Sequence, residues 1–192
     1  MVVPYICGLN CFFTMSSAKI LAEIKKDLFS NDETVVMKAL NQTRDNGNAS
    51  FVEPLLSLYT STPSALVKAE IADMLSNLKV SETDEAFLTF LEQPQHKAFY
   101  KDVVAFMWNS GLEPVDHMAF FVKLAIEGDE ALILEVLTLI ESIESEFPED
   151  QISDSTNQLR TYLGNEKDGQ SNRVKLLREL LKVVESAQES YF

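Results

Sequence analysis

The sequence predicts an all-α chain, an α-solenoid (α/α superhelix) of about five stacked helical hairpins. Three observations predict it. The first is a repeat: Leu66, Phe99 and Leu132 stand 33 residues apart, and Ile71, Val104 and Leu137 keep the same step. Phe87 and Leu88 fall 33 residues before Phe120 and Phe121, and 32 after Leu55 and Leu56. Two apolar blocks per period mean two helices per unit. The second is composition: 6 Gly and 6 Pro in 192 residues are too few for a fold of many tight β-turns. The third is a gradient of patterning. The central second helices (98–100 with 103–108, and 131–134 with 136–140) are apolar nearly all round, whereas the terminal helices are apolar on one side. Stacking explains this, because inner repeats have two neighbours and end repeats one.

The elements follow in order. Ile20, Leu21, Ile24, Leu28 and Phe29 form a one-sided stripe on the first helix. Ser30 with Glu33 reads as a capping box opening a second helix through Val35, Val36, Ala39 and Leu40, broken at Gly47-Asn48. A third holds Phe51, Val52, Leu55, Leu56 and Tyr59. Thr62 as N-cap with Pro63 at the first helical position opens the helix of Leu66, Ile71, Met74 and Leu75. Ser81 and Asp84 introduce Phe87, Leu88 and Leu91, and Pro94 precedes the helix from Phe99 to Trp108. Gly111 and Pro114 turn the chain into Met118, Phe120, Phe121 and Leu124; Gly128-Asp129 starts Leu132 to Ile140, and Pro148 ends it. A degenerate hairpin follows, with Ile152, Leu159 and Tyr162 on one helix and Val174, Leu177, Leu180, Leu181 and Val184 on the last.

The first fourteen residues, MVVPYICGLNCFFT, are apolar and uncharged. They lack the basic start and small-residue cleavage site of a signal peptide, and fall short of the ~20 apolar residues of a membrane span. Met15-Ser16-Ser17-Ala18-Lys19 reads as a start of its own. Residues 1–14 are therefore expected to be a non-native or disordered leader, and residues 15–192 a single repeat domain. A short export or membrane-affinity segment is the rival reading. Both cysteines, Cys7 and Cys11, lie in this leader, where they staple nothing distant and form no zinc motif; a reducing cytoplasm fits that usage.

Between Ser30 and Ile140 the units resemble the short HEAT-like repeats found in small bacterial proteins. The residues that carry the resemblance are the apolar second-helix blocks with a Lys, Leu66-Val67-Lys68-Ala69 and Phe99-Tyr100-Lys101-Asp102, and the acidic turn residues Asp32 and Asp129. Pro63 replaces the turn acid in one unit and Leu134 the base in another, so the ladder of charges is incomplete. The tetratricopeptide and ankyrin signatures are absent. The resemblance implies a curved right-handed stack whose second helices line a concave surface that holds another macromolecule.

Charge narrows the partner. Thirty acidic against 16 basic residues leave a net charge of −14, which repels nucleic acid and anionic membranes. The densest basic segment, Arg173, Lys175, Arg178 and Lys182, is interleaved with Glu179, Glu185 and Glu189 and reads as the solvated face of an amphipathic helix. No phosphate-binding loop, dinucleotide fingerprint, zinc-protease helix or serine elbow is present. His96 and His117 read as surface or capping residues. Trp108 lies in the same column as Leu75 and reads as inter-repeat packing rather than a base-stacking platform. No catalytic, cofactor-binding or metal-ligating residue is expected.

One stretch is distinctive: Glu127 to Asp154 carries ten acidic residues and no Lys or Arg. Glu141, Glu144 and Glu146 crowd a helix end whose dipole disfavours negative charge. Either this is a solvated edge, or Glu141, Glu144, Glu146, Glu149 and Asp150 form a docking patch for a basic partner. The expected work is non-catalytic: a cytoplasmic scaffold or interaction module that holds a protein or peptide on its second helices. The competing classes are an enzyme of the HEAT-like DNA glycosylase type acting on nucleic acid, and a self-assembling structural subunit.

Overall fold

The computed structural model describes residues 9–78, 83–166 and 170–189, with side chains over 18–78, 83–166 and 170–187. The described residues are all-helical, without a strand. Residues 1–8 of the expected leader, with Cys7, lie outside the described residues, as does the expected cap Ser81. Among the described residues no helix is long and apolar enough to cross a membrane. The chain divides into two compact units, one running to Met74 with Thr83, the other from Leu75 to Leu78 and from Asp84 onward.

In the first unit α1 (Leu9–Asp27) packs on α2 (Glu33–Asn46). Its stripe is narrower than the sequence suggests: Ile24 and Leu28 are buried, while Ile20 and Phe29 are each 51% exposed. The cap of α2 also differs. Asp32, not Ser30, is the N-cap and accepts from Thr34 N–H at 2.8 Å; the Ser30 hydroxyl accepts from Asp32 N–H at 3.1 Å. A carboxylate is as good an acceptor as a hydroxyl there, and being nearer the first turn it takes the site. Beyond α2, the chain folds sharply at Gly47, whose N–H reaches Thr43 O at 2.7 Å; a Cβ at Gly47 would lie 2.4 Å from that oxygen. Asn48 then caps a 3-10 turn, Ala49–Phe51, that leads into α3 (Val52–Ser61).

Two cations tie separate segments of this unit together. Lys25 of α1 donates to Ser50 Oγ at 2.8 Å and lies 5.0 Å from the Phe51 ring centroid, while Arg44 of α2 bonds both Glu70 and Asp73 of α4 (Ala65–Ser76). The start of α4 corrects the Thr62-Pro63 cap. Thr62 is the extended C-cap residue of α3, as a residue before proline tends to be, and Ser64 caps α4 through its hydroxyl to Val67 N–H at 3.3 Å.

The second unit holds α5 (Asp84–Leu91), α6 (Tyr100–Asn109), α7 (Met118–Glu127), α8 (Glu130–Ser142), α9 (Glu149–Asn165) and α10 (Asn172–Glu189). Here α5 packs on α6, α6 on α8, and α8 on α10; α7 packs on α8 and α9, and α9 on α10. Successive helices therefore touch their second neighbours as well as several of their first. Asp129 caps α8 as expected, accepting from Leu132 N–H at 2.9 Å. Arg173 departs from expectation. Instead of joining a solvated face it is half-buried, donating to the carbonyls of Ile126 and Gly128 and to the Tyr162 hydroxyl, with its guanidinium 5.1 Å from the Tyr162 ring.

Burial refines the repeat. The columns Val67–Tyr100–Ile133, Met74–Met107–Ile140, Leu55–Leu88–Phe121 and Leu58–Leu91–Leu124 are buried at every position, each with a uniform step of 33 residues. The period is thus right, and the expected columns hold in part: in the first Leu132 is buried but Leu66 is 59% exposed and Phe99 half-buried, and in the second Ile71 and Val104 are fully buried while Val136 takes the place expected of Leu137. The step is 31 residues from Val36, Leu40 and Thr43 to Val67, Ile71 and Met74, and 41 from Ile133, Val136 and Leu139 to Val174, Leu177 and Leu180. The longer step accommodates the 143–148 loop and the longer α9.

Candidate functional site

The acidic stretch divides by what its carboxylates already do. Asp129 caps α8, and Glu135 accepts the Trp108 indole N–H at 2.9 Å. That bond joins α6 to α8 and leaves Trp108 half-buried with a carboxylate at its polar edge. Glu149 and Asp150 are exposed in the first turn of α9, where the positive end of the helix dipole favours them. Of the five residues expected to bind a partner, Glu141, Glu144 and Glu146 remain, all exposed and brought together.

These three rim a cleft of about 430 Å³ whose other wall is the C-terminal part of α10. Its apolar lining is Ile140, Ile143, Phe147, Val183 and Ala187, and among the described residues no Lys or Arg lines it. Both α8 and α10 point their C-terminal portions here, and neither has a basic residue in its last turn. Side-chain and dipole potentials are therefore both negative at one mouth. The buried Phe147 ring roots the loop, and exposed carboxylates surround it.

The loop is held from a distance by Glu113. At the end of α6 the Gly111 N–H bonds Trp108 O at 3.1 Å and the Leu112 N–H bonds Met107 O at 3.1 Å, with Gly111 at φ +70°. This is a Schellman ending, which only a residue tolerant of the left-handed region completes without strain. It delivers Glu113 to the loop after α8: one carboxylate oxygen accepts from Glu144 N–H at 2.8 Å, the other from the Ser145 hydroxyl. The Ser145 hydroxyl and then the Glu144 N–H hold the Glu113 carboxyl below the usual glutamate range. Sequence reasoning missed Glu113. It lies outside the acidic run, and nothing local distinguishes it from other turn acids.

His96 stacks on Phe90 (ring centroids 4.1 Å apart) in the 3-10 turn before α6, and His117 is exposed at the start of α7. Among the described residues no three His, Cys, Asp or Glu side chains are grouped to hold a metal ion. A second cleft, of about 600 Å³, lies along α7 and α9 beside Lys123, Asn157, Thr161 and Tyr162 and has no matching concentration of charge. No protein-family model matches the chain, and neither a curated protein nor a solved structure matches it significantly.

Proposed function

We propose that the protein is a non-catalytic interaction module, an α-solenoid of HEAT-like hairpins, that holds a basic segment of a partner protein in the cleft between α8 and α10. Support for the solenoid comes from second-neighbour packing of α6, α8 and α10, from that of α7 and α9, and from the uniform 33-residue step of the buried columns. One observation carries the function: Glu141, Glu144 and Glu146 rim an apolar-floored cleft at the negative ends of two helices, with no cationic side chain in its lining among the described residues. A Lys- or Arg-bearing segment with apolar neighbours complements both features. Each exposed ion pair contributes only ~0.2–1 kcal/mol. The charges therefore select and steer the partner, and contact with Ile143, Phe147 and Val183 supplies most of the affinity.

The test uses a fluorescent peptide alternating Lys and Leu, with a Glu-for-Lys version as control, titrated by anisotropy at low and high salt. The full chain should bind the basic peptide alone, and less tightly at high salt. Changing Glu141, Glu144 and Glu146 to Gln should weaken binding and remove most of its salt dependence, while changing Glu85, Glu92 and Asp116 to Gln or Asn removes the same charge elsewhere and should leave both largely intact. Equal loss in both triple variants would reduce the effect to net charge and refute the site. Failure of the basic peptide to bind would refute the chemistry.

A further inference from the structure

We propose that Glu113, a residue outside the acidic stretch, is the positioning residue of the cleft: its carboxylate fastens the backbone of the 143–147 loop and so fixes where Glu144 and Glu146 stand. The proposal rests on the cleft reading for its consequence in binding, and on geometry alone for the fastening. The loop follows the end of α8, where the chain leaves its helix at Ile143 with extended backbone. Phe147 is buried at one end of it, and Ile143 at the other is half-buried and lines the cleft. Between them, Glu144 and Ser145 are tied down by the two oxygens of one side chain 31 and 32 residues earlier. Two parallel bonds to an ionised acceptor fix orientation as well as position. The adjoining exposed carboxylates of Glu144 and Glu146 repel one another, so without the fastening they would move apart and away from the cleft. A further acid at this already acidic place is understandable if its role is to accept two bonds rather than to add charge. The depressed pKa of Glu113 agrees, since the bonds favour its ionised form.

Positioning and charge separate experimentally. Glu113→Asp keeps the charge and shortens the arm by one methylene; Glu113→Gln keeps the arm and removes the charge; Ser145→Ala removes one bond only. Two readouts apply to the full chain: amide hydrogen exchange at Glu144 without any ligand, and affinity for the Lys-Leu peptide. The expected results for Glu113→Asp are exchange at Glu144 about tenfold faster and affinity about fivefold weaker, the scale of one lost charge-assisted bond in a partly solvated place. Ser145→Ala should show a smaller change of the same sign, with each variant still unfolding in one cooperative thermal transition. Unchanged Glu144 exchange in both Glu113 variants would overturn the proposal. So would an affinity weakened by Gln but not by Asp, which would make Glu113 a charge and nothing more. If the parent does not bind the peptide, the cleft reading fails, and the exchange data still decide the fastening.

Discussion

Replacing Arg173 with Ala removes a clamp on the end of α7. Its guanidinium donates to the carbonyls of Ile126 and Gly128, donates to the Tyr162 hydroxyl, and stacks on that ring. Arg173 also lies in the first turn of α10, where a cation is unfavourable to that helix's own dipole, so its gain must come from α7. Hydrogen bonds from a charged donor are worth ~1.5–3 kcal/mol each when buried. The site is half-buried, and freed carbonyls would regain water, so the three bonds and the stack together come to ~2–3 kcal/mol. For a chain of this length ~1 kcal/mol shifts Tm by ~2–4 °C, giving a fall of ~4–12 °C. Urea unfolding followed by circular dichroism, beside Arg173→Lys and Tyr162→Phe, measures it. Lysine cannot fork to two carbonyls and should recover less than half of the loss. An Arg173→Ala variant within ~0.5 kcal/mol of the parent would refute the clamp, as would a Lys variant as stable as the parent.

Other perturbations give distinct signatures. Ser155 is fully buried on α9 with its hydroxyl unpaired, so Ser155→Ala should leave urea stability unchanged or raise it by ~1 kcal/mol; a clear loss would show an ordered partner for that hydroxyl. Gly111→Ala places a side chain at φ +70° and should cost ~1–2 kcal/mol in thermal unfolding even though nothing lies within 4 Å of the new Cβ; Gly111→Asn should cost less. The pH dependence of Glu113 has a definite sign. Its folded pKa is lowered, so its stabilising contribution is present above the unfolded value near 4.5 and is lost as pH falls through the lower folded value. The stability gap between parent and Glu113→Gln should therefore be widest near neutrality and close in acid.

Much of this fold was legible because helices bury residues at fixed spacing. The apolar blocks and their 33-residue step placed the helices from α3 to α8 correctly, and Gly128-Asp129 marked the α8 cap. Which residue of a block faces inward was harder to read. A run such as Leu66-Val67 is apolar at two adjacent positions 100° apart, and only packing decides that Val67 is buried and Leu66 exposed. Caps misassigned by two residues, as at Ser30 and Thr62, have the same origin: several acceptors compete within one turn. The acidic residues of the candidate site could be named in advance, since charge density is a local property. Their division between cleft and α9 terminus, and the fastening by Glu113, depend on chain segments about thirty residues apart and have no local signature.

The uniform spacing of the inner columns has an evolutionary consequence. Copying residues 100–132 in tandem would bring a second Tyr100 to the register now held by Ile133, with the four uniformly buried columns preserved. In the proposed solenoid such a chain would lengthen by a whole cassette with these columns kept in register. The 41-residue step to α10 breaks that rule, so growth of this kind belongs to the middle of the chain and ends before the acidic cleft.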